Sequence, residues 1–185
     1  MNHRFLRKVS RITLDWSVEA QSLVDARYRR SAKALRRLRR HDAELATRLE
    51  AAFERARVDD DARLERTLQW FQRFVEAERE AEGDAEGILA ELRAEVPGYM
   101  EEFIRTVSRG VDRVEALAAP PELAGEHASL VAAQREYVTS LHRLADAYTG
   151  DSIAPVTAAV EDAERARAAI DTAMARLWAA ASPER

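Results

Sequence analysis

The stretch RYRRSAKALRRLRRHDAELATRLEAAF, residues 27–53, decides how the chain is read. Its apolar residues Tyr28, Leu35, Leu38, Leu45, Leu49, Ala52 and Phe53 recur mostly at steps that stack side chains on one face of an α-helix. Upstream the stripe continues through Phe5, Val9, Ile12, Trp16, Ala20 and Leu23, and downstream it reaches Ala56. Ser31 and Asp42 interrupt it, and no Gly or Pro occurs before Gly83. The pattern predicts one helix over about residues 4–57, roughly 80 Å long at the helical rise. A helix of that length must lie along other helices or pair with a second copy.

Asp59, Asp60 and Asp61 follow. Short carboxylates of this kind can cap the next helix and suit its positive end. Both a turn there and one continuous helix through residue 82 fit the spacing. The next apolar positions are Leu68, Phe71, Phe74 and Val75, on a helix running to about Glu82. GDAEG, residues 83–87, reads as a loop. A short helix, ILAELRAEV, then ends at Pro97-Gly98, and another covers about 99–118. Pro120-Pro121 forces a break, with Pro121 suited to the first turn of a helix to about Tyr148. TGDSIAP leads to a last helix over about 154–181. The last two helices are similar in length and closely connected, which predicts an antiparallel hairpin. Strand signals are absent.

The expected fold is therefore all-α: an elongated antiparallel helical bundle or coiled coil with a long N-terminal helix and a C-terminal helical hairpin. It forms a single domain over 1–185, with a long helical hairpin in 1–82 and the bundle portion in 84–182. The composition agrees. Apolar residues make up 46% and charged residues 34%, too apolar for a disordered chain and as charged as long helices with wet faces. No cysteine is present, which excludes disulfides, thiolate metal sites and a Cys nucleophile. No apolar run resembles a signal or a membrane span, so a cytoplasmic protein is expected.

The net charge of −4 hides an asymmetry. Residues 1–40 hold twelve Lys or Arg against Asp15, Glu19 and Asp25, a local charge of +9. On a helical wheel Arg29, Arg30, Lys33, Arg36, Arg37, Arg39 and Arg40 lie opposite Tyr28, Leu35 and Leu38. Such a face is either solvated, packed against acidic helices, or a binding surface for phosphates in lipid or nucleic acid. Nucleic-acid binders usually add side chains that read or stack on bases, and only Tyr28 is aromatic here, on the opposite face. Arg4, Arg7, Lys8 and Arg11, beside Phe5, Leu6 and Trp16, form a second basic amphipathic segment.

Catalytic and metal motifs are missing. A di-metal bundle needs Glu-x-x-His pairs, but Leu38, Ala124 and Thr139 stand three residues before His41, His127 and His142. No metal, cofactor or catalytic residue is expected. In the helix from 122, His127 and Gln134 fall within the apolar face. In the last helix Arg167 falls within the face Val156, Val160, Ala163, Ile170, Met174 and Trp178. Buried polar groups need partners, so a polar layer of Gln134 and Arg167, with His127 on the same face, is predicted. It would fix helix register or line a small pocket, although Ala159, Ala163 and Ala166 favour close packing over a roomy cavity.

The segment LAAPPELAGEHASLVAAQREYVTSLHRLADAYTGD resembles uncharacterised helical-bundle domains of actinobacterial proteins. Pro120-Pro121, His127 and Gly150-Asp151 carry the resemblance. It covers about the last 70 residues and implies a helical hairpin but no activity; some such domains belong to exported proteins. The sequence thus leads to a non-enzymatic helical scaffold or interaction protein, with a protein partner or a homodimer formed through the long helix. The alternative is an adaptor that binds a polyanion or an anionic membrane surface through the basic helix face, with nucleic acid the weaker candidate.

Overall fold

The computed structural model describes residues 2–57, 63–150 and 152–182. These form six α-helices and no strand: α1 (Asn2–Leu38), α2 (Ala43–Ala56), α3 (Arg63–Glu80), α4 (Asp84–Glu115), α5 (Ala124–Tyr148) and α6 (Ile153–Ala181). A single 3-10 turn, Pro121–Leu123, leads into α5, with Pro121 at its start as its fixed φ suits.

The expected single helix over 4–57 is two helices. α1 closes at Leu38, where the N–H groups of His41 and Asp42 both donate to the Leu38 carbonyl, at 2.9 and 2.8 Å. Asp42 leaves the helical region (φ −144°, ψ 97°), and its side chain accepts from the Leu45 N–H at 2.8 Å, capping α2. The reason is tertiary. His41 Nδ1 lies 3.1 Å from Asp84, at the start of α4. A helix continued past Asp42 would run off the end of α4 with Leu45, Leu49 and Phe53 uncovered. Turned back, these three pack with Leu35, Leu38, Phe74 and Leu89. The predicted carboxylate cap at Asp59, Asp60 and Asp61 lies outside the described residues.

The expected break at Pro97-Gly98 does not occur. α4 runs unbroken, with Pro97 inside it, at a cost of about 3 kcal/mol for a missing N–H and a ring clash. Pro97 and Gly98 are both exposed, so the flaw faces solvent. On the opposite side Leu89, Leu92, Met100, Ile104, Val107 and Val111 are buried in one phase across the proline, and α1 lies along both halves. Four residues of the expected GDAEG loop form the first turn of α4. Gly83 alone stays outside it, at φ 58°, a conformation that favours glycine.

α1 and α4 are antiparallel. Arg37 pairs with Glu91 at 2.8 Å, Arg27 with Glu95 at 2.7 Å and Asp15 with Arg113 at 3.5 Å. These two helices run through the whole molecule. At one end they pack with α2 and α3; at the other Phe5, Leu6, Val9 and Val114 pack with Leu130 of α5 and Ile170 and Leu177 of α6. The stripe on α1 that could have met a second copy is thus covered within the chain by α4, and the hairpin in the N-terminal part is α2 with α3 alone. α5 and α6 form the expected C-terminal hairpin, with α6 bounds within one residue of prediction. No helix among the described residues is long and apolar enough to cross a membrane.

Candidate functional site

The cations of residues 27–41 divide into two groups. Three are held within the chain. Arg27 donates to Glu95 at 2.7 Å and to the Leu92 carbonyl at 2.8 Å. Burial lowers its guanidinium pKa first, and Glu95 opposes that shift. Arg37 pairs with Glu91, whose carboxyl the Arg37 hydrogen bond holds below its ordinary value. Arg39 pairs with Glu50 of α2. Arg29, Arg30, Lys33, Arg36 and Arg40 are exposed and have no ion-pair partner among the described residues. The same is true of Arg4, Arg7, Lys8 and Arg11.

The acids of α1 are occupied. Asp15 faces Arg113 at 3.5 Å, Glu19 faces Arg109 at 4.0 Å, and Asp25 accepts from the Gln21 amide at 3.0 Å. The positive charge at both ends of α1 is therefore left uncompensated by its own carboxylates. Arg7, Arg11, Leu14, Val18, Ser22, Asp25, Arg29, Lys33 and Arg36 follow one another at steps of three or four, so they trace one outer line of the helix. That line is about 43 Å long at the helical rise. Leu14 is 64% exposed and Val18 58%. With Trp178 they are the large apolar side chains left exposed among the described residues. Sequence reasoning passed over Leu14 and Val18 because they stand off the apolar stripe. Their signal was present, as apolar residues in phase with the basic line.

The predicted polar layer does not assemble. His127 is buried, with Nε2 2.9 Å from the Val114 carbonyl oxygen, an acceptor that requires the proton on Nε2. Phe5 meets its ring edge-on at 5.3 Å between centroids. Gln134 is 0% exposed, and neither amide atom has a hydrogen-bond partner among the described residues. Arg167 is exposed instead of buried. The cause is the rotation of α6: its buried line runs through Ala159, Ala163, Ala166, Ile170, Ala173 and Leu177. These small residues let α5 and α6 approach closely and turn Arg167 outward. Trp16 Nε1 and Thr13 Oγ1 are also buried without a partner.

Among the described residues no cluster of His, Asp or Glu has the makings of a metal site. Compared with protein-family models, curated proteins and solved structures, the chain matches none.

Proposed function

We propose that the protein is a non-enzymatic helical adaptor that attaches to an anionic lipid surface through the outer face of α1. The observation that carries this reading is the outer line itself: unpaired cations at both ends of a helix of 37 residues, with exposed Leu14 and Val18 between them. Each Lys or Arg near an anionic leaflet contributes about 1 kcal/mol. Apolar side chains on the same face enter the boundary between headgroups and acyl chains. The apolar pair favours lipid over nucleic acid, since phosphate backbones offer no such region and no base-stacking side chain lies on this line.

Co-sedimentation with vesicles tests it, comparing phosphatidylserine-containing with neutral vesicles at low and high salt, with duplex DNA as competitor. The decisive variant reverses Arg29, Lys33, Arg36 and Arg40 to Glu and leaves Arg37 and Arg39, which tie α1 to Glu91 and Glu50. All four reversed residues are exposed, so the fold should persist by circular dichroism. Binding to anionic vesicles should fall more than about a hundredfold, from about 1 kcal/mol per lost cation. Leu14→Ser with Val18→Ser should weaken the part of binding that survives high salt. Undiminished binding by the reversed variant, or preferential capture by DNA, would sink the proposal.

A further inference from the structure

A second feature is independent of the outer face of α1. A cavity of about 330 Å³ is lined by residues of all six helices. Its walls come from three separate parts of the core. Phe53, Phe74 and Leu92 pack in one with Leu35 and Leu89, Phe71 and Val160 belong to a second, and Leu141 packs with Ile104 and Val107 in a third. The cavity is the space between them. Several of its rings are engaged edge-on with one another: Phe53 with Trp70 at 5.4 Å, and Phe71 with Tyr148 at 5.1 Å between centroids. Protein interiors hold few voids larger than a water molecule, so a space of this size is an exception. It falls at the lower end of the range of ligand pockets, about 300–1,000 Å³.

The lining is largely apolar, and its charges are already engaged. Nine of the chain's twelve aromatic residues stand on it. Four charged side chains reach it. Arg27 is paired with Glu95 and donates to the Leu92 carbonyl at 2.8 Å. Arg93 is paired with Glu78 at 2.6 Å and donates to the Gly150 carbonyl at 2.9 Å. Glu164 and Arg167 are exposed and of opposite sign, so they keep their hydration. Burial pushes the Tyr148 phenol up to about 12 and raises Tyr99 as well, so both stay neutral near pH 7. An ion entering the cavity would give up water and meet no unengaged counter-charge among the described residues. An apolar molecule would lose little on entry and would restore the dispersion contacts that the walls lack across the gap.

We propose that this cavity binds a compact, neutral, apolar small molecule, held by the aromatic walls in the space where the three parts of the core fail to meet. The aromatic faces alone would also suit an organic cation. Arg27 and Arg93 on the same lining oppose that choice, and their pairing with Glu95 and Glu78 removes the attraction for an anion. Neutrality of the ligand therefore follows from the charge balance of the lining, and its compactness from the volume.

Calorimetry with three probes built on one ring tests the assignment: toluene, benzoate and benzylammonium, which are neutral, anionic and cationic. Toluene should bind saturably, at least about tenfold more tightly than either ion, because an ion must shed water without gaining a partner. Toluene should also raise the melting temperature, as any ligand of the folded state does. Ala163→Leu on α6 and Ala56→Leu on α2 each add a larger apolar side chain to the lining. Each should weaken toluene binding at least about tenfold by occupying the space, with circular dichroism unchanged. Two fillers on different helices keep the test decisive if one of them fails to fold. Absence of saturable toluene binding, a charged probe that binds as tightly as toluene, or full toluene affinity in a folded filler variant would overturn the proposal.

Discussion

Gln134→Met should make the protein more stable. Gln134 sits at 0% exposure in the face of α5 that packs on α4 and α6, and neither its amide oxygen nor its nitrogen has a hydrogen-bond partner among the described residues. Burying an unsatisfied polar group costs about 1–3 kcal/mol. Met keeps an unbranched chain of similar reach, so the transfer penalty disappears while packing is nearly preserved. Loss of one terminal atom leaves a small void that returns less than about 1 kcal/mol of the gain. The net expectation is about 2 kcal/mol. For a chain of this size, about 2–4 °C per kcal/mol gives a rise in Tm of about 4–8 °C. Urea denaturation of the two proteins, with unchanged slope, measures the same quantity as free energy. Gln134→Ala is the control, since it removes the same polar atoms but opens a hole and should be about 2–4 kcal/mol less stable than Gln134→Met. If Gln134→Met were destabilised by about 1 kcal/mol or more, the amide would have a partner in the folded protein, and the bookkeeping above would be wrong.

Gly110→Ala gains helix propensity worth about 1 kcal/mol. Its new Cβ, however, would press on Trp16 Cδ1 and Cγ and come within 2.7 Å of Trp16 Cβ, close to the backbone of α1. Overpacking of this kind costs about 1–3 kcal/mol, so a net loss of about 1 kcal/mol in urea denaturation is expected, and a net gain would mean that α1 and α4 are less tightly apposed. Asp42→Ala should cost about 1 kcal/mol by removing the cap on α2, whereas Asp42→Asn should cost far less; equal losses would show that the cap bond to Leu45 contributes little. Burial pushes the Tyr148 phenol up to about 12 and raises Tyr99 as well. A raised folded-state pKa gives stability that is whole below the unfolded value of about 10 and is lost as pH rises through the folded one. Melting temperature should therefore decline between about pH 10 and 12, with late-titrating tyrosinate absorbance in the unsubstituted protein that Tyr148→Phe reduces; early titration of every tyrosine would refute it.

Much of the architecture could be read along the chain. Helical periodicity fixed the all-α class, the Pro120-Pro121 break before α5, and the start and end of α6. The basic line on α1 was legible as well, because it depends on spacing alone. Leu14 and Val18 belong to it by the same rule, although they stand off the apolar stripe of the helix. The partners of Arg37 and Arg39 could not be read, because Glu91 and Glu50 are distant in sequence and reach these cations through packing. The cavity was illegible for a related reason. The aromatic side chains around it come from five helices, α1 to α5, at no common spacing, and adjacency across helices leaves no periodic trace.

What the sequence by itself determined is which residues are helical and which face of each helix is apolar or basic, because both follow from local propensity and a fixed repeat. What only the tertiary structure decided is where helices stop and how they are rotated. α1 ends at Leu38 because α4 begins beside His41. α4 continues through Pro97 because α1 covers both of its halves and the proline faces solvent. Arg167 turned outward because the alanines of α6 pack against α5 more closely than the larger side chains would allow. In each case burial against a distant neighbour outweighed a local preference of a few kcal/mol.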